Sequence, residues 1–222
     1  MTLLNFTLVI SEGVIEGIIL VHAINGGIAL VSGALALASK KGSSFHKKSG
    51  LVFYCSMLAA AVLALIIAVM PGHENPFLFS IGLFSSYFLI TGLRSLKYRQ
   101  PDYSLTVDKV LALLLILTGL FMIFYPLVLD NQFNVVLLVF GIAGIISGFR
   151  DYVRLRKGDA VRSHWLPLHL GKMTGGYIAA VTAFFVVNKV LPGVWNWFAP
   201  SVVGSVFIAY CIRRVKRGTI KP

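Results

Sequence analysis

The sequence predicts an all-α integral membrane protein, a seven-transmembrane-helix bundle in a single domain over residues 1–222, N-terminus outside and C-terminus cytoplasmic. Three observations carry this. The chain is 57% hydrophobic and 13% charged, whereas soluble domains carry about 25% charge. Apolar runs of about 20 residues, the length that crosses a bilayer as a helix, recur from end to end. The basic residues crowd into alternate connections. Mean hydropathy is +0.85.

The opening MTLLNFTLVISEG lacks the basic region and cleavage site of a signal peptide. Its first ten residues are expected at the interface or as an extension of the first span, 13–38. The break KKGSSFHKKSG leads to span 49–70, MPGHENP to 77–96, YRQPDYS to 107–128 and LDNQ to 132–149. RLRKGDAVRS then introduces 164–188, and VLPGVW introduces 194–212. Gly, Pro, Asn and Asp punctuate these breaks as they do turns. Helices are expected because they satisfy every backbone group in lipid, and the runs lack the alternation of barrel strands. Small residues four apart (Gly13 and Gly17, Ala29 and Gly33, Gly144 and Gly148, Gly171 and Gly175) allow helices to approach closely. Cys55 and Cys211 lie in apolar runs at different depths and read as packing residues without a disulfide.

Charge sets the orientation. Lys40, Lys41, Lys47 and Lys48 flank the first connection, and Arg94, Lys97, Arg99 and Lys109 the third. Arg150, Arg154, Arg156, Lys157 and Arg162 flank the fifth, and Arg213, Arg214, Lys216, Arg217 and Lys221 form the tail. These are 18 of the 20 Lys and Arg, all on one side of a seven-span chain. The positive-inside rule makes that side cytoplasmic. The net charge of +12 therefore reflects topology and attraction to anionic lipid. Membrane lipids are the expected partners, with a second copy or another membrane protein as further candidates, and nucleic acid is not expected. Trp195 and Trp197 at one face and Trp165 at the other suit interfacial aromatic belts.

Five histidines can be sorted by depth at about 1.5 Å per helical residue. His46 and His164 fall at the cytoplasmic edge, His169 about one and a half turns deeper, His22 toward the outer face and His73 in an outer loop. His169, Lys172, Met173, Gly176, Ala180 and Ala183 make one helical stripe; His22, Asn25, Gly26, Ala29, Gly33 and Ala36 make another. Each begins with histidine and turns small, leaving room for a neighbouring backbone or a flat or chain-like ligand. The plainer alternatives are ordinary helix contacts for the stripes, solvation for His46 and His164, snorkelling for Lys172 and a backbone carbonyl partner for His22. Glu12 and Glu16 read as boundary residues.

Two imidazoles at one depth can ligate a haem iron axially. His46 with His169 or His164 meets the requirement; the absence of CxxCH excludes haem c. The expected cofactor is haem b or a transition metal, Zn or Cu. For a metal, His46, His164 and His169 with Asp151 or Asp159 supply the ligands, and Met173 a soft one. The rival reading is transport or lipid binding, in which His169, Lys172, Arg150 and Arg162 hold an anionic head group. A scaffold without a chemical site is the third. No nucleophile elbow, P-loop, dinucleotide fingerprint or paired buried carboxylates are present to support a hydrolase.

HAINGGIALVSGALAL, KKGSSFHKKSGLVFYCSM, LFSIGLFSSYFLITGLRSL, HLGKMTGGYIAAVTAFFVVN and WFAPSVVGS resemble a bacterial family of predicted multi-pass membrane proteins catalogued as a domain of unknown function. The likeness covers nearly the whole chain. It implies a bacterial inner-membrane location and marks His22, His46, His169, Lys172 and Met173 as motif positions, and it carries no activity. A looser similarity to membrane b-type cytochromes rests on small-lined helices bearing histidines, without their paired ligands on both sides of the membrane.

Overall fold

The computed structural model describes residues 12–128 and 133–219. The first ten residues, Asp130, Lys221 and the side chains of Glu12 and Asp159 lie outside the described residues. Eight helices follow one another: α1 Glu12–Ala38, α2 Ser44–Ile67, α3 Pro76–Arg94, α4 Thr106–Val128, α5 Val135–Arg156, the short α6 Asp159–Arg162, α7 Trp165–Asn188 and α8 Trp195–Lys216. A 3-10 turn, Ser95–Lys97, extends α3. Among the described residues there is no strand, and seven helices are long and apolar enough to cross a membrane.

Local chemistry sets the ends. Ser43 caps α2 by accepting from His46 N, Asn75 caps α3 from Leu78 N with Pro76 in the first turn, and Asn134 caps α5 from Leu137 N. α7 closes on Lys189 in the left-handed conformation. Several helices run beyond the expected spans. α2 begins at Ser44 rather than 49, α5 continues to Arg156 rather than 149, and α8 reaches Lys216. Hydropathy detects the apolar stretch, whereas helical hydrogen bonding continues through the interfacial basic turns. α5 also starts at Val135, after its asparagine cap, rather than at 132.

α1 to α5 pack as successive antiparallel neighbours, α7 inserts against α3 and α1, and α8 lies on the outside of α7. α3 supplies residues to two cores. Phe84 and Tyr87 join Ala112, Leu115 and Leu155 of α4 and α5; Leu89 joins Ala29, Phe53 and Ala180 of α1, α2 and α7. Large apolar side chains elsewhere point outward, as a lipid-facing surface requires.

The glycine spacings divide. At Gly119 an added β-carbon would lie 2.6 Å from the Gly141 carbonyl oxygen, and at Gly141 it would lie 2.7 Å from the Gly119 oxygen. α4 and α5 thus cross backbone to backbone, with Gly148 2.7 Å from the Ala112 oxygen by the same measure. Gly33 packs under the Tyr177 ring, whereas Gly13 and Gly17 meet nothing within 4 Å. Because a backbone oxygen cannot swing aside, Gly141→Val is expected to cost about 1–3 kcal/mol of overpacking. Gly13→Val should be neutral. SDS-titrated unfolding of the purified protein measures both; equal curves would contradict the close crossing.

Candidate functional site

The KKGSSF turn brings α2 back along α1, and α7 returns beside α3. At the end of the bundle where these basic connections lie, the four helices leave a cavity of about 770 Å³, within the roughly 300–1,000 Å³ of ligand pockets. His46 of α2 and His169 and Met173 of α7 line it. Phe53 and Tyr177, packed edge to face at 6.0 Å, also line its wall. Lys40, Lys41, Lys47 and Arg99 supply cationic lining, and Trp165 adds an indole. Arg99 stacks over Trp165 at 5.6 Å.

Both imidazoles are held by the same device. His46 Nδ1 lies 2.9 Å from the Ala36 carbonyl oxygen of α1, and His169 Nδ1 lies 2.8 Å from the Gly92 carbonyl oxygen of α3. A ring nitrogen against a carbonyl must carry the hydrogen, so Nδ1 is the donor in each ring, and in the neutral imidazole Nε2 then carries the lone pair. Among the described residues no hydrogen bond occupies either Nε2. Lys41 donates to Ala36 and Leu37 oxygens, closing the C-terminal end of α1 beside His46. Burial pushes the Lys41 ammonium below its ordinary pKa, with Cys211 opposing.

The other histidines stand apart. His22 Nδ1 is 2.9 Å from the Ala60 oxygen of α2, a contact that ties α1 to α2, and His22 does not line the cavity. His164 is exposed at the start of α7 with Nδ1 3.0 Å from Ser163 Oγ; it too is outside the cavity lining. Among the described residues no group of three or more His, Cys, Asp or Glu could hold a metal ion. The expected metal set of His46, His164 and His169 with Asp151 is therefore not assembled, because His164 lies at the surface and Asp151 serves another partner. Both cysteines are free thiols.

That partner is Lys172. It neither snorkels nor joins His169 in an anion pocket. It is 6% exposed and points to the opposite side of α3. Its Nζ donates to Asp151 Oδ2 at 2.6 Å, Thr91 Oγ1 at 2.9 Å and Tyr87 OH at 3.1 Å, and lies 4.4 Å from the Tyr87 ring centroid. The Tyr87 hydroxyl donates to the same carboxylate oxygen at 2.5 Å, and Arg154 approaches Oδ1 at 3.5 Å. The single stripe expected on α7 thus serves two neighbourhoods, His169 and Met173 facing the cavity and Lys172 the ion pair. Arg150 is exposed on α5, and Arg162 donates to the carbonyls of Tyr98 and Gln100.

A second ion pair, its carboxylate fully buried and its guanidinium partly exposed, was not anticipated. Arg94, in the last turn of α3, binds Asp108, in the first turn of α4, through two bonds of 2.9 Å. Tyr98 beside it is fully buried, and burial with the Asp108 charge pushes its phenol above the ordinary value. The signal for both pairs lies in the sequence: an acid and a base at matching depth on the same side, namely Asp151 with Lys172 and Asp108 with Arg94.

Comparison with known protein families, with curated proteins and with solved structures finds no match to this chain. The site must be read from its own chemistry.

Proposed function

We propose that the protein is a bacterial inner-membrane haem b protein in which His46 and His169 would hold the haem iron, with the basic end of the bundle in the cytoplasm. The single observation that carries this reading is the pair of imidazoles lining one cavity with Nδ1 fixed and Nε2 open. Histidines that bind a metal characteristically donate the other ring N–H to a carbonyl or carboxylate, which fixes the tautomer and orientation. Two such residues can hold a haem iron, whereas a protein-caged zinc or copper takes three or four, and among the described residues no group of three or more is assembled. Phe53, Tyr177 and Met173 offer an apolar wall to a flat macrocycle, and Lys40, Lys47 and Arg99 suit its carboxylates. Bound haem would supply one-electron transfer; the chain's own part is to hold, orient and shield it.

The same cationic lining with an apolar wall also favours an anionic lipid in this cavity, without Lys172 taking part. Hemin titration in detergent separates the two. The haem reading expects a Soret shift saturating at one hemin per chain, and in His46→Ala and His169→Ala weaker binding with the spectrum of a single-ligand site. A co-purifying lipid with no Soret shift would move the assignment to the lipid. For orientation, a reporter fused at the C-terminus is expected to be active in the cytoplasm; periplasmic activity would reverse the topology.

A further inference from the structure

α7 is apolar around most of its circumference, and lipid gives such a helix no hydrophobic reason to prefer one rotation. The choice of face must come from specific contacts. Lys172 supplies the largest set, with two bonds to α3 and one to α5. One turn earlier, His169 donates to the oxygen of Gly92, the residue that follows Lys172's partner Thr91. The approach there is close: a β-carbon on Gly92 would lie 3.0 Å from Met173 Sδ and 3.1 Å from Lys172 Cβ. Two consecutive residues of α3, Thr91 and Gly92, are therefore held by two residues of α7 one turn apart.

We infer that the Lys172–Asp151 pair, with Tyr87 and Thr91, is a register lock that turns His169 into the cavity, making Lys172 and Asp151 positioning residues for the ligand-binding site. Slipping α7 by one residue rotates its side chains by about 100°. That slip would take His169 off Gly92 and leave the buried Lys172 ammonium without its carboxylate, a costly arrangement, while Asp151 would keep only Tyr87 OH and the 3.5 Å contact to Arg154. Other rotations of α7 carry no such penalty for apolar side chains. A buried polar contact that fixes register at some cost in stability is the best-attested use of such groups.

The functional readout rests on the haem reading above, so the test carries one readout that needs no haem. Three proteins are compared: the wild type, Lys172→Met, and Lys172→Met with Asp151→Leu. Removing both charges restores an apolar contact and with it resistance to SDS, since replacing a buried ion pair by apolar groups of similar size is often neutral. The lock predicts that the double variant regains wild-type SDS resistance yet binds hemin roughly 10–100-fold more weakly, the loss typical when a ligand's support is removed. It further predicts a broadened or shifted distance between spin labels at Phe184 of α7 and Val107 of α4, in a background with Cys55 and Cys211 replaced by alanine. A double variant with wild-type label distances would overturn the lock, as would one with wild-type hemin affinity. A wild type that takes up no hemin would sink the haem reading instead, and the label distances would still judge the lock.

Discussion

His169→Ala is expected to weaken hemin binding by more than the roughly 10–100-fold that loss of a merely supporting contact costs. The ring does two things at once. Its Nδ1–H satisfies the Gly92 oxygen of α3 at 2.8 Å, and under the proposed haem reading its Nε2 would be the nitrogen offered to the iron. Alanine deletes both, and the expected spectrum is that of a site with one axial ligand. Because the vacated space is imidazole-shaped, added imidazole should restore the six-coordinate spectrum in the variant and leave the wild type unchanged. Rescue of this kind separates loss of a ligand from loss of the fold, since free imidazole cannot rebuild a collapsed bundle. His164→Ala, outside the cavity lining, should bind hemin as the wild type does. Equal affinity in wild type and His169→Ala would remove this residue from the site.

Arg94→Ala is expected to cost about 3–5 kcal/mol of stability, the range for breaking a buried ion pair by deleting one partner. Asp108 is fully buried, and both of its oxygens are taken up by the Arg94 guanidinium. Its place in the first turn of α4 offers some help from the helix N-terminus, which favours an anion by about 0.3–1 kcal/mol. That offsets only a fraction of the loss. Arg94→Lys should recover part of the stability, because an ammonium cannot reproduce the fork's two parallel bonds. Combining Arg94→Ala with Asp108→Asn should be milder than Arg94→Ala alone, since the uncompensated charge is gone. SDS-titrated unfolding reads the three variants against the wild type; a cost below about 1 kcal/mol for Arg94→Ala, the level of an exposed ion pair, would contradict the reliance of buried Asp108 on Arg94.

Hydropathy and length were enough to read seven apolar helices, because an apolar run of bilayer length and its punctuation are local properties. Boundaries slipped where helices continue through charged turns, as at Arg150 to Arg156 of α5. Depth counting placed His46 and His169 at comparable levels, and they do line one cavity. The same counting put His164 with them, yet it precedes the first turn of α7 and faces out. Depth fixes height along the bundle but not azimuth, which depends on which helices become neighbours. That α7 inserts between α1 and α3 is a tertiary fact no single span encodes. Lys172 is the clearest case. Its spacing from His169 suggested a shared face, but the two residues diverge around the helix enough to reach opposite sides of α3. Asp151 could have been matched to Lys172 by asking which acid lies within reach of a lysine inside a span; it was weighed only as a metal ligand.

The central claim concerns the identity of the two ligands, and electron paramagnetic resonance of the ferric, hemin-loaded protein tests it most directly. Two imidazoles from His46 and His169 predict a low-spin rhombic signal in the wild type, replaced by a high-spin signal in His46→Ala and in His169→Ala. A wild type that is high-spin, or whose low-spin signal persists in either variant, would contradict the account.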